Sequence, residues 1–127
     1  MLDLELYLHG RCHFFALALN KALGFPIECL WDNEAWFEDG DPSPALVHAY
    51  CIRPDGTRVD AQGTLTREAA LENYAELVEE PEFVVTTAEA LEEHIRAVML
   101  PAEPGEIEQL ISYIQSRMLF YRDGVGS

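Results

Sequence analysis

One short stretch, GRCHFFALAL at residues 10–19, constrains this chain more than any other, because it places a cysteine directly before a long apolar run. Apolar side chains recur there at helical spacing, which predicts a helix that begins near Cys12. Gly24 supplies a C-terminal cap for this helix, and Pro26 prevents its continuation. Because a helix N-terminus favours the thiolate form of a cysteine, Cys12 is the first candidate for a reactive group.

The rest of the pattern predicts an α+β fold in which the Cys12-bearing helix packs on a small antiparallel sheet, with additional C-terminal helices. Strands are expected at 25–31, 45–53, 57–63 and 82–86, and an acidic loop at 32–44. Further helices are expected at 66–80, 86–100 and 105–121, the first with Thr66 as N-cap and the second with Thr86 as N-cap. We expect the last two helices to cross the open face of the sheet or to form a homodimer contact, since Leu119, Phe120 and Tyr121 look exposed.

The bulk composition excludes several classes of function. The 127 residues suit one domain, residues 1–127, and the net charge is -15, from 23 acidic and 8 basic residues. Such a charge repels phosphate backbones, so no nucleic acid is expected as a partner, whereas a basic partner or a cationic substrate remains compatible with it. No apolar run is long enough to cross a membrane, and the N-terminus carries acids where a signal peptide carries bases. A cytoplasmic location is the expectation.

Three cysteines, Cys12, Cys29 and Cys51, form an odd set without a CxxC pair. This pattern is typical of free thiols in a reducing compartment rather than of a disulfide framework. The chain holds no Gly-rich phosphate loop, HExxH or GxSxG motif, and no cofactor is expected.

The segment LVHAYCIRPDGTRVDAQG predicts a β-hairpin whose register decides where its polar side chains lie. A three-residue loop, Pro54 to Gly56, makes Tyr50 pair with Asp60. His48 and Asp60 then lie diagonally on one face, close enough for their side chains to meet. A two-residue loop would place the two side chains on opposite faces.

The segments GRCHFFALAL, GFPIE and LVHAYCIRPDGTRVDAQG together resemble the core of papain-like and transglutaminase-like cysteine enzymes, arylamine N-acetyltransferases included. In those families a cysteine begins a helix, a histidine lies on the next long strand, and an aspartate follows on the neighbouring strand. The matching positions here are Cys12, His48 and Asp60. The resemblance covers residues 10–63, about half of the chain.

What the resemblance implies is a Cys-His-Asp triad that performs thiol-based acyl transfer on an amide or ester substrate, including protein or peptide substrates. Hydrolysis, deamidation and transamidation all remain open, and the missing Arg-Gly-Gly segment and the short chain disfavour acetyl transfer from coenzyme A. The glutamine that precedes the cysteine in papain-type enzymes is also absent, so Tyr7 and His9 are the candidates for an oxyanion donor. Trp31 and Trp36 are candidates for lining the substrate cleft.

Two other interpretations compete with the triad. HGRC and HAYC are both HxxC, so His9, Cys12, His48 and Cys51 are in principle a zinc set, but residues three apart on a strand point to opposite faces. We therefore expect no metal. The second alternative is a non-catalytic acidic binding or effector protein on the same fold, which buries Cys12 and engages a basic partner.

The two remaining histidines, His13 and His94, are expected to take no part in the chemistry. We expect His13 to point away from the reacting groups, either behind them or at the surface. His94 is expected to be a partly exposed helix residue.

Overall fold

The computed structural model describes residues 5–7, 11–36, 42–74 and 81–124. Its architecture is α+β, as predicted, with one antiparallel sheet of five strands in the order β4-β3-β2-β1-β5. The strands are β1 (Ile27–Trp36), β2 (Pro42–Ile52), β3 (Arg58–Asp60), β4 (Gly63–Leu65) and β5 (Pro81–Thr86). The helices are α1 (Cys12–Leu23), α2 (Arg67–Tyr74), α3 (Ala88–Val98), α4 (Glu106–Gln115) and α5 (Met118–Tyr121).

Helix α1 is the centre of the core. It begins at Cys12, and it ends where Gly24, with a φ of 76°, donates its backbone N–H to Asn20. Every side chain from Cys12 to Leu19 is buried, because α1 packs against β2 on one side and α4 on another. The expectation that the C-terminal helices cross the open face of the sheet is therefore wrong for α4, which covers α1 instead.

The β2–β3 hairpin has the predicted register. Cys51 lies opposite Val59 and Ile52 opposite Arg58, which is the pairing of a three-residue loop. The backbone N–H of Arg53 donates to the carbonyl of Thr57 at 2.7 Å, and Gly56 adopts a φ of 90° in the loop. The same register extended by one pair puts Asp60 beside Tyr50, on the strand face that His48 shares.

Several predicted element boundaries are wrong. The expected loop at 32–44 is in part strand, since β1 continues to Trp36 and β2 begins at Pro42, with irregular pairing after Leu30 and after Asp32. The backbone pairing of β1 with β2 extends the strands into this segment although its composition, acidic and rich in Gly and Pro, is typical of a loop. The expected strand at 57–63 is two short strands, β3 and β4. The N-cap of α3 is Thr87, whose hydroxyl accepts from Ala90, rather than Thr86.

The predicted helix at 105–121 breaks into α4 and α5 at residues 116–117. Ser116 donates its hydroxyl to the carbonyl of Tyr113 at 2.6 Å, and the backbone turns after it. This break directs Tyr121 inward, where it is fully buried and its hydroxyl donates to the carbonyl of Ala61 at 2.8 Å. Tyr121 is therefore a core residue and was wrongly expected to be exposed. Phe120 is half-buried against the core, whereas Leu119 is exposed as expected. No helix in the described ranges is long and apolar enough to span a bilayer.

A buried carboxylate, Glu28 on β1, organises the sheet next to the hairpin. It is fully buried and accepts hydrogen bonds from Tyr50 at 2.6 Å, from Arg58 at 2.8 Å and from Arg67 at 2.8 Å. Burial would raise the pKa of Glu28, but these three partners lower it to about 2. Such a charge is tolerated inside the protein only because every partner is present.

We expect Glu28→Gln to lower the free energy of unfolding at pH 7 by about 2 kcal/mol, since it leaves two arginines without their shared carboxylate. The folded-state pKa of Glu28 lies below its ordinary value of 4.5, so its contribution is fully present above pH 4.5 and is lost as the pH falls towards 2. Urea unfolding followed by circular dichroism between pH 2 and 7 measures both effects. The control is Glu92→Gln, which removes the exposed Lys21–Glu92 pair and should change stability by less than about 0.5 kcal/mol. Equal effects of the two variants would contradict this assignment.

Candidate active site

Cys12 occupies the first position of α1. The preceding residue, Arg11, is the N-cap and makes no side-chain capping bond, and the first turn holds no acidic residue. The first-turn backbone N–H groups of a helix have no partner within the helix, and the positive end of the dipole lies there. The start of α1 is therefore a site where a negative charge on sulfur, or on a neighbouring oxygen, is stabilised.

A cluster of polar groups around Glu106 of α4 holds the start of α1 in place. Glu106 is buried and forms an ion pair with Arg11, accepts the hydroxyl of Tyr7 at 2.7 Å, and accepts the backbone N–H of Glu103 at 2.9 Å. The guanidinium of Arg11 also lies over the ring of Phe14 at 4.7 Å. The hydroxyl of Tyr7, a candidate oxyanion donor from the sequence, is thus bound to Glu106.

The hairpin supplies the two other members of the triad. His48 is fully buried on β2, and its Nε2 lies 2.9 Å from Oδ2 of Asp60. The other carboxylate oxygen of Asp60 accepts the backbone N–H of Gln62 at 2.9 Å, which holds the carboxylate in place. Since Nε2 faces Asp60, Nδ1 is the ring nitrogen left to exchange a proton with a reacting group.

Cys12 lies near His48, in the part of β2 beyond its pairing with β3. The pairing of β3 with β2 covers Cys51 and Ile52, so β2 extends past the paired segment at His48 and Ala49. Cys12 lies close enough to the side chain of His48 and to the backbone of Ala49 for both to lower the pKa of its thiol. The structure therefore brings together all three residues of the predicted triad, with His48 between Cys12 and Asp60.

Their electrostatics favour a thiolate–imidazolium pair. Burial would raise the pKa of Cys12, but hydrogen bonds from His13 and His48, together with the charge of His48, lower it to about 6. Burial would lower the pKa of His48, but its bonds to Asp60 and Cys12 raise it to about 9. Between these two values the proton resides on the imidazole and the sulfur is charged.

The other two cysteines, Cys29 and Cys51, differ from Cys12 in the direction of their pKa shift and in their surroundings. Burial raises the pKa of Cys29 to about 12, and burial also raises the pKa of Cys51. The thiol of Cys51 donates to the carbonyl of Ala16 at 3.3 Å, within the core. Both are buried structural thiols, as the sequence predicted, and they serve as internal references for Cys12.

The predicted cleft residues lie apart from this contact. Trp31 is half-buried on β1 and meets His94 edge to face, with ring centroids 4.9 Å apart. His94 is half-buried, as expected. Trp36 ends β1, but its side chain lies outside the described part of the chain, as does all of His9.

His13 is the site residue whose place the sequence analysis missed. It is buried, with 3% of its surface exposed, and it is one of the groups that lower the pKa of Cys12. Its ring contacts that of Phe14, with centroids 4.1 Å apart. The sequence signal for its burial was its position next to the apolar residues of α1. A buried imidazole needs a hydrogen-bond partner.

A groove of about 400 Å³ lies between α1, α3 and α4. Phe14, Leu17 and Lys21 line it from α1, roughly half a turn around the helix from Cys12. This groove therefore opens on the side of α1 that faces away from the thiol, and it is not the entrance to Cys12.

The HxxC zinc interpretation receives no support from the described residues. Cys51 is directed to Ala16 in the core, while His48 is directed to Asp60. Among the residues that the structure describes, no three His, Cys, Asp or Glu side chains converge as metal ligands.

We expect iodoacetamide to alkylate native Cys12 with an apparent pKa near 6, and to leave Cys29 and Cys51 unmodified below pH 9. His48→Gln should move the Cys12 midpoint above the ordinary thiol value of 9, since burial then acts without the imidazolium. Asp60→Asn should move it in the same direction by less, because Asp60 acts through His48. Mass spectrometry of peptides, with samples quenched over pH 4–10, gives the rate at each cysteine. Equal rates at all three cysteines, or labelling of Cys12 only in denaturant, would contradict an activated thiolate.

No protein-family model, curated protein or solved structure matches this chain. What the site does is therefore inferred from its own geometry.

Proposed function

We propose that this protein is a thiol-dependent acyl-transfer enzyme that cleaves an amide or ester bond with Cys12, His48 and Asp60. One observation carries the proposal: a buried imidazole, held by a carboxylate at 2.9 Å, lies next to a cysteine at an uncapped helix N-terminus and lowers the pKa of that cysteine. A nucleophile, a base and a group that orients the base are the three parts that covalent acyl transfer requires.

Each residue has a defined part in the reaction. The thiolate of Cys12 attacks the carbonyl carbon, a C–S bond forms, and the carbonyl π electrons move onto oxygen. The backbone N–H groups at the start of α1 stabilise that oxyanion. The imidazolium of His48 gives its proton to the leaving amine or alkoxide as the C–N or C–O bond breaks.

The second half of the reaction releases the acyl group from Cys12. Neutral His48 takes a proton from water or from an amine, which attacks the thioester carbonyl. Collapse of the second oxyanion breaks the C–S bond and restores the thiolate–imidazolium pair. Asp60 keeps Nε2 of His48 occupied throughout, so that Nδ1 exchanges the proton.

We also propose that the α+β fold is of the papain-like or transglutaminase-like type. The support is the order of the three residues along the chain. Cys12 begins α1, His48 lies on β2, which is the second strand after α1, and Asp60 lies on β3, which pairs with β2. The orientation of the imidazole, with Nε2 on the carboxylate, is consistent with this proposal.

One observation favours the alternative of a non-catalytic binding protein. Cys12 exposes 4% of its surface, and His48 is fully buried. An enzyme of this kind admits its substrate through a narrow approach to the sulfur, whereas a binding protein needs no access at all. Small ester probes are therefore the right first substrates.

We expect p-nitrophenyl acetate to be hydrolysed with a bell-shaped dependence of kcat/KM on pH, with limbs near pH 6 and pH 9. The acidic limb reports formation of the thiolate, and the basic limb reports loss of the proton that His48 delivers. Cys12→Ser should abolish this turnover. Cys29→Ser is the matched control, because it changes the same atom in a buried cysteine outside the triad.

Turnover that survives in Cys12→Ser would overturn the proposed function. Turnover that is lost equally in Cys29→Ser would show that the substitutions act through the fold. If the wild-type protein shows neither ester turnover nor alkylation of native Cys12, the result supports the alternative of a non-catalytic binding protein.

A further inference from the structure

The groove between α1, α3 and α4 is an apolar recess that the proposed reaction does not use. Phe14 and Leu17 of α1 and Ile95 of α3 line it and are buried. Ile107 and Ile111 of α4 also line it but are only half-buried. Apolar surface that remains in contact with water gains free energy when an apolar group covers it. The groove therefore favours an occupant that carries an apolar group.

Leu100 lies in the connection between α3 and α4, directly before the groove residue Pro101. Its side chain is 80% exposed, the largest exposure of any large apolar side chain in the described ranges. At this exposure it does not fill the groove of its own chain. The same surface thus holds an open apolar groove and, next to it, an apolar side chain that the described part of the chain leaves uncovered.

Four charged side chains line the groove, and their formal charges sum to zero in a protein of net charge -15. Lys21 and Glu92 form an ion pair with each other at 3.2 Å. Arg96 of α3 and Glu108 of α4 are exposed, and neither has an ion pair or hydrogen bond with any residue that the structure describes. The groove is therefore a locally neutral surface with an unpaired cation on one wall and an unpaired anion on another.

Arg96 is an exception among the basic side chains of this protein. Of the eight lysines and arginines, the other seven each have an ion pair, a hydrogen bond or a ring contact within the described residues. They are Arg11, Lys21, Arg53, Arg58, Arg67, Arg117 and Arg122. In a chain with 23 acidic residues, a base that binds none of them is free to bind an acidic group of another molecule.

We propose that this groove is the interface of a homodimer with twofold symmetry. Leu100 of each copy enters the groove of the other copy, and Arg96 of each copy pairs with Glu108 of the partner subunit. Every contact in such an interface occurs twice, so the surface must be complementary to itself. A groove beside an exposed leucine, together with a cation and an anion, satisfies that condition. The inference goes beyond the proposed acyl transfer and does not depend on it, because the groove opens on the side of α1 that faces away from Cys12.

A second copy of the chain fits these observations better than other occupants do. A long-chain carboxylate would pair with Arg96, but its charge would meet Glu108, and Leu100 would stay exposed. A basic partner would pair with Glu108 but meet the charge of Arg96. Two copies of net charge -15 repel each other, and this repulsion is smallest where two neutral surfaces meet.

The test reverses each charge of the proposed pair, in the full chain and at physiological ionic strength. Arg96→Glu alone places two carboxylates opposite each other at both contacts, and Glu108→Arg alone places two guanidinium groups there. In an equimolar mixture of the two variants, a dimer with one copy of each has opposite charges at both contacts. Sedimentation velocity over a dilution series gives the dissociation constant, and circular dichroism shows that each variant is folded.

Two matched controls separate the interface from general effects. Arg122→Glu changes the net charge by the same amount as Arg96→Glu, but in the exposed Arg122–Asp123 pair. Leu119→Ser makes the same exchange as Leu100→Ser, but at an exposed leucine of α5.

We expect the wild-type protein to form a dimer. Each single charge reversal should raise the dissociation constant by about tenfold or more, because two ion pairs are replaced by two repulsive contacts. The equimolar mixture should return to within about threefold of the wild type. Leu100→Ser should raise the dissociation constant by about tenfold or more, since the interface loses two apolar side chains. Arg122→Glu and Leu119→Ser should stay within about threefold of the wild type.

A wild-type protein that stays monomeric over the whole dilution series would overturn the inference. Binding of dodecanoate by that monomer, lost in Arg96→Glu, would then identify a small amphipathic acid as the occupant. A mixture of the two folded charge variants that remains monomeric would also overturn it, as would equal effects of Leu100→Ser and Leu119→Ser. Cys12→Ser should dimerise like the wild type, so failure of the proposed function leaves this result unchanged.

Discussion

The register of the β2–β3 hairpin is the constraint on which the candidate site depends. Pairing of Cys51 with Val59 places Asp60 on the face of His48, and the 2.9 Å contact between them follows from that pairing. A slip of one residue would move Asp60 to the opposite face. Gly56, at a φ of 90°, permits the loop that sets this register. The backbone conformation of an exposed turn thus determines whether Asp60 lies beside the buried His48.

Three buried carboxylates hold the polar side chains around the site. Asp60 holds His48, Glu106 holds Arg11 directly before the nucleophile, and Glu28 holds Tyr50, whose ring lies 5.6 Å from that of His48. In a protein of net charge -15, each of these three carboxylates is therefore matched by a partner inside the fold. Each pair repays the cost of burial only when its geometry is complete, so the site is coupled to the packing of the whole domain.

The C-terminal part of the chain gives the N-terminal site its support. Helix α4 covers α1 and contributes Glu106, and Tyr121 of α5 binds the carbonyl of Ala61, directly after Asp60. Gly63 in β4 faces Phe120 so closely that an added Cβ would lie 2.7 Å from its ring. Arg11 next to Cys12, and Ala61 next to Asp60, are therefore each bound by a residue sixty or more positions away along the chain.

The sequence alone determined the local features: the start of α1 at Cys12, its end at Gly24, the hairpin register and the α+β class. These follow from helical periodicity, capping and turn geometry, which act over a few residues. The burial of His13, the binding of Tyr7 by Glu106 and the inward turn of Tyr121 were decided by tertiary structure. Each depends on which helix covers α1, and the long strands β1 and β2 likewise form because they pair with each other. Contacts between distant segments leave no periodic signal in either segment, so no pattern within one of them predicts the contact.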